Sequence, residues 1–181
     1  MKKKTLLFSL LAMFALVCAG GWYLLHQNQA QTVKAEARKT YIQSSRPTIF
    51  FHGWGSSSRA ERHMANAAKN AGVTQTIIEA KVAEDGTVTL KGTIPKDAVN
   101  PIVLVNFDNN RGASTQDQGN YAYAVVKALQ DTYGITEMNM VAHSYRNMAI
   151  VYYMLQHGSA HLCPPGVPIP DLQCSLTLFS K

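Results

Sequence analysis

The segment Ala142-His143-Ser144-Tyr145-Arg146-Asn147 holds a serine between a short apolar run, Met138-Asn139-Met140-Val141, and a stretch with helical periodicity. A serine lifted on a tight strand-to-helix turn is the arrangement of the nucleophile elbow, usually written Gly-x-Ser-x-Gly. The turn exposes the hydroxyl above the sheet, where a base can remove its proton and an acyl carbonyl can reach it. The following helix aims its N-terminus at the same place, so the Tyr145 amide is placed to stabilise an oxyanion. A second loop, His52-Gly53-Trp54-Gly55-Ser56-Ser57-Ser58, follows the β-prone run Thr48-Ile49-Phe50-Phe51. It offers the Trp54 amide as the other oxyanion donor. His52, Gly53, Gly55 and His143 support the two loops. The histidines read as packing or loop hydrogen bonding, because no carboxylate or cysteine falls at ligand spacing around them. Neither metal nor cofactor is expected. Trp54 reads as pocket wall or core. Asp108 and Arg111, in the loop after another strand, read as a surface salt pair in preference to substrate contacts.

The elements that must position these residues alternate. Arg59 to Ala71 reads as a helix that stops before Gly72. Thr76 to Val82 and Thr87 to Leu90 read as strands joined at Asp85-Gly86, a hairpin signal. Pro101 to Phe107 is a continuous apolar run, expected to be buried on both faces. Helices are predicted around Gly119 to Tyr133 and from Arg146 to Gln156, with a short strand over Met138 to Val141 between them. Strands alternating with helices at this spacing predict an α/β class, a mostly parallel sheet with helices on both faces.

Charge narrows the partners. Residues 1 to 46 hold seven basic side chains and one acid, and the remainder holds ten of each. The whole formal excess of +6 therefore lies beside the apolar run Thr5 to Leu25. Nucleic acid is not expected, since the body carries no basic stripe. Lys2, Lys3 and Lys4 before the run predict a cytoplasmic N-terminus and an exported body, at the cell surface and either membrane-anchored or secreted. A helix of that length rises about 30 Å, enough to span the hydrocarbon core. Three readings stand: an uncleaved transmembrane anchor, a signal peptide cleaved near Cys18 to Gly21, or a lipoprotein cysteine at Cys18. Cys163 and Cys174 do not form a zinc or disulfide signature with Cys18. The expected organisation is a signal peptide or anchor over 1–25, a polar tether over 26–46, the catalytic-type body over 47–158, and an irregular tail over 159–181.

Phe50-Phe51-His52-Gly53-Trp54-Gly55, Val105-Asn106-Phe107, and Met138 through Ser144 with Asn147 together resemble the Gram-positive cell-surface α/β-hydrolase family of unknown function, over about residues 40 to 158. The resemblance implies an exported, esterase- or lipase-like serine hydrolase with Ser144 as nucleophile, without implying its substrate; an active chain is expected to take a small-molecule ester or amide. Three departures bear on it. Ala142 replaces the first elbow glycine, a mild change. Arg146 replaces the second, where a guanidinium must move backbone or swing into the pocket, at a cost of about 1–3 kcal/mol. The triad order Ser, then Asp or Glu, then His is not met by His157, His161 and Asp171, since the acid follows both histidines. Four prolines between Pro164 and Pro170 break the βα rhythm. The chain is thus read as truncated after the elbow, with the acid and base of the triad absent and the Met138 to Val141 strand left at an edge. An inactive remnant or a membrane-surface binding module is the alternative.

Overall fold

A computed structural model describes residues 13–27, 29, 36, 41–161 and 176–179, with backbone alone for 158–161 and 176–179. The chain divides into two compact units, Met1–Ile42 and Gln43–Lys181. The first contains helix α1, residues 13–27, whose apolar side chains, Phe14, Leu16 and Trp22 among them, are exposed. Trp22 stacks on His26 with ring centroids 5.3 Å apart. Among the described residues no helix is long and apolar enough to cross a membrane. The predicted apolar run begins at Thr5, and its first part lies outside the described residues.

The second unit starts before the expected boundary at residue 47. Ser44 and Asn100 exchange hydrogen bonds, Asn100 N to Ser44 O at 2.7 Å and Ser44 N to Asn100 Oδ1 at 3.1 Å, so the end of the expected tether is part of the body.

Its elements run β1 Thr48–Phe51, α2 Arg59–Asn70, β2 Ile77–Val82, β3 Val88–Lys91, β4 Ile102–Phe107, α3 Thr115–Tyr133, β5 Asn139–His143, a 3₁₀ turn Ser144–Arg146, α4 Asn147–His161 and β6 Leu176–Phe179. They form one sheet in the order β3-β2-β4-β1-β5-β6. Every pairing is parallel except the β2–β3 hairpin, which turns at the expected Asp85-Gly86. In the turn Asp85 Oδ1 accepts the Thr87 amide at 2.9 Å, the side-chain device that makes aspartate a turn former.

Side chains alternate across the pleat and build two layers. Ile49, Phe51, Val103, Val105 and Phe107 face α3 and α4 in the main core. Ile102 and Leu104 face Ala65 of α2, with Phe50 and Ile77 packed alongside. Strand β4 contributes to both layers, as its unbroken apolar run predicts.

Three sequence expectations need correction. Helix α3 begins at Thr115, four residues before Gly119, because Ser114 and Asp117 form a capping box that supplies the orphan amides. Helix α4 continues through His161, past the expected end at Gln156. The tail, expected to be irregular, contributes β6, and Leu176 to Phe179 pair in parallel with Met140 to His143. Strand β5 is therefore not an edge: the exposed donors and acceptors predicted there bond to a β-prone segment that follows the proline-rich stretch. That stretch, with Cys163, Asp171 and Cys174, and the side chain of His161 lie outside the described residues.

Candidate active site

The strand order brings the C-terminal ends of β4, β1 and β5 side by side, so the loops that leave them meet above one end of the sheet. Ligands of open α/β sheets bind at the carboxyl ends of strands, where such loops diverge.

Ser144 is the turning point after β5. Its φ is +55°, a left-handed conformation that a β-carbon makes costly, while His143 before it is extended and Asn147 after it is helical. The chain passes from strand to helix within three residues of 3₁₀ geometry. Ser144 and Tyr145 are exposed, and the Ser144 hydroxyl makes no hydrogen bond among the described residues. Ser144 is thus a strained, exposed serine at the end of β5, and strain of about 1–3 kcal/mol persists only where neighbours enforce it.

The loop after β1 lies against that turn. A β-carbon on Gly53 would stand 2.9 Å from Nδ1 of the exposed His143 ring and 3.4 Å from the His143 carbonyl, so the two loops are in close contact here and a larger residue would have to displace that ring. His52 is fully buried and fixes the loop from below. Its Nε2 accepts the Phe107 amide at 3.2 Å, which leaves the proton on Nδ1, 2.9 Å from the Gly53 carbonyl that accepts it. Burial, helped by the Arg146 charge, holds the ring below the usual histidine range, opposed in part by the Gly53 hydrogen bond. His52 thus fills the packing and loop-bonding role expected for it. Asn106, which sequence reading placed in a strand and in the family resemblance but gave no role, accepts the Ser58 amide at 3.1 Å and anchors the far end of the loop.

Trp54 is 58% exposed, so it is not core, the second of its two expected places, and its indole donates to the Arg111 carbonyl at 3.1 Å. The Arg111 guanidinium lies 5.5 Å from the ring centroid. The expected Asp108–Arg111 pair does not form: Asp108 bonds Lys81 at 3.0 Å, and Arg111 takes the aromatic face instead.

Arg146 does not swing into the open pocket. It is 1% exposed, 4.3 Å from the Phe107 ring centroid, with one Nη donating to the Asn109 carbonyl at 3.1 Å. Its Nε and other Nη have no partner, and burial lowers its affinity for the proton. The guanidinium therefore ties the loop after β4 to the turn after β5. Room for α4 to dock comes from elsewhere, at Gly119 of α3, where a β-carbon would stand 2.8 Å from Tyr152 Cβ.

On the other face Glu61 of α2 is nearly buried beside an apolar cavity of about 300 Å³ lined by Phe50, Met64, Val141, Ala142 and His143. Its Oε1 lies 3.9 Å from His143 Nδ1, its Oε2 has no partner, and burial raises its carboxyl. His157 stacks on Tyr123 at 4.1 Å within the α3–α4 interface, far in the sequence of α4 from the serine turn. Among the described residues no group of histidine, cysteine and carboxylate side chains is arranged to hold a metal.

A mostly parallel sheet flanked by helices, carrying a left-handed serine between β5 and the next helix, defines an α/β hydrolase. The chain belongs to the family of α/β hydrolases of unknown function designated DUF915, which matches residues 35–166. That match runs past the limit of residue 158 expected from sequence. No curated protein matches the sequence. Among solved structures, the lin2722 gene product of Listeria innocua is 26% identical over 67% of this chain and 48% of its own, with a TM-score of 0.61. The "putative cell surface hydrolase" of Lactobacillus plantarum WCFS1 is 22% identical over 62% of this chain and 46% of its own, with a TM-score of 0.55. The chain spans about half the length of these neighbours.

Proposed function

We propose that this chain carries the nucleophile half of a serine hydrolase of the esterase or lipase type, with Ser144 attacking the carbonyl of a small ester or amide. The observation that carries this reading is the +55° φ of Ser144 at a strand-to-helix turn. In the proposed reaction Ser144 Oγ bonds to the carbonyl carbon as its proton passes to a general base, a group not found beside Ser144 among the described residues, which then protonates the departing alcohol or amine. The Trp54 and Tyr145 amides stabilise the oxyanion, and its collapse expels the alcohol or amine. The leading lysines and apolar run favour an extracytoplasmic, membrane-anchored or secreted body.

Fluorophosphonate labelling of the purified chain tests the reading. A single adduct mapped to Ser144, lost in Ser144→Ala, is the expected result. An unlabelled but folded protein favours the non-catalytic alternative, a membrane-surface binding module built on a hydrolase fold.

A further inference from the structure

The loop after β4 is held unusually firmly for an exposed segment. The Gly55 amide donates to the Asn110 carbonyl at 2.9 Å, and Asn110 Nδ2 donates to the Ser56 carbonyl at 2.8 Å. Asn109 Oδ1 accepts the Gly112 amide at 2.8 Å, while its carbonyl accepts from Arg146. Arg111 stands at the tip of this framework, its own carbonyl bonded to the Trp54 indole and its guanidinium over the Trp54 ring. The cation is thereby fixed over the ring of Trp54 and against Gly55, in the loop whose Trp54 amide is the proposed oxyanion donor, and it makes no ion pair among the described residues.

The acids that could neutralise it are committed elsewhere. Asp108 is paired with Lys81, and Asp117 closes the α3 capping box by accepting the Ser114 amide at 3.2 Å and also accepts the Ser114 hydroxyl at 2.6 Å. Glu61 belongs to α2 and faces His143 from the opposite side of the sheet, where burial disfavours its charge. Beneath the loop the buried Arg146 adds a second positive charge. Two fixed cations with no committed acid between them create a positive field over the mouth of the site, and a planar guanidinium offers paired donors that fit an oxyanion.

We propose that the mouth of the Ser144 site selects substrates bearing an oxyanion, a carboxylate or phosphate, bound by Arg111 against the Trp54 face. The anion takes guanidinium N–H groups of Arg111 that the Trp54 contact leaves available. The scissile group then extends toward Ser144, so this selectivity rests on the hydrolase reading for its location but not for the binding itself.

Trp54 reports the contact directly. In full-length Trp22→Phe, Trp54 is the sole indole, and its emission is titrated with glutaramate, propyl phosphate and the neutral isostere glutaramide. Saturable quenching by both anions, at least tenfold tighter than by glutaramide, is expected. Arg111→Gln should erase the difference, with Arg111→Lys retaining part of it. Equal binding of the three ligands, no response to any of them, or a preference that survives Arg111→Gln overturns the proposal. Fluorophosphonate labelling in the same preparation separates the two ideas: anion preference without labelling removes the nucleophile assignment alone, and labelling without anion preference removes the selectivity alone.

Discussion

Arg146 and Glu61 are both ionisable, both almost wholly buried, and lie on opposite faces of the sheet around the same turn, yet the fold treats them differently. Arg146 rests on an aromatic ring and donates to a carbonyl. Glu61 has an apolar cavity, one distant histidine and an oxygen with no partner. The difference follows from proton chemistry. A carboxyl can escape its desolvation cost by taking up a proton, whereas a guanidinium keeps its charge across the physiological range, and here one carbonyl and a ring meet only part of its need for partners. On the α3–α4 side the buried charge therefore links the loop after β4 to the elbow turn with two nitrogens left unsatisfied, and the α2 side is left as a cavity.

Substituting Arg146 makes the sharpest break in this comparison. Two of its nitrogens are unpartnered, so Arg146→Met, similar in volume and uncharged, should raise unfolding stability by about 1–4 kcal/mol, read from denaturant midpoints. A loss of stability would show that the Asn109 bond and the ring contact outweigh desolvation. Phe107→Leu should next lower stability by about 1–3 kcal/mol, through lost packing and the lost cation contact. In the Arg146→Met background that loss should shrink by about 1 kcal/mol. Simple additivity would mean that the ring serves the core alone.

Two smaller effects depend on pH. His52 is held below its usual range in the folded chain, so both states are neutral above about pH 6.5 and the unfolded state gains a proton first below it. Stability should therefore decline as pH falls from 7.5 to 5.5. The decline should be shallower in His52→Gln, whatever that variant loses at neutral pH. For Glu61 the sign is opposite. Its folded carboxyl titrates above the unfolded one, so it favours folding at low pH and loses that contribution as pH rises through the folded value. Glu61→Gln should stabilise by about 1 kcal/mol or less at pH 7 and by nothing at pH 4. An equal gain at both pH values would make the effect one of shape and not of charge.

Much of the site was legible because it is local. Ser144 and the His52-Gly53 loop each sit at a junction between an apolar run and a helical period, and the backbone there responds mainly to neighbours in sequence. The alternation of elements, the hairpin at Asp85-Gly86 and the double burial of β4 were legible for the same reason. Helix ends were less so, since the Ser114–Asp117 box uses a shorter acid than the usual Glu or Gln. The tail was misread because prolines describe the segment they occupy and not the strand beyond them.

What the sequence by itself determined is therefore the order of elements and the place of the exposed hydroxyl, both set by short-range sterics and periodicity. Only the tertiary structure decided the fates of the charged and polar side chains: Arg146 on Phe107, Arg111 on Trp54 instead of Asp108, His52 receiving the Phe107 amide, and β6 beside β5. Each joins residues from separate elements. A side chain's residue type fixes what it can bond, but the partner is chosen by which strands become neighbours, and that depends on the packing of the whole sheet.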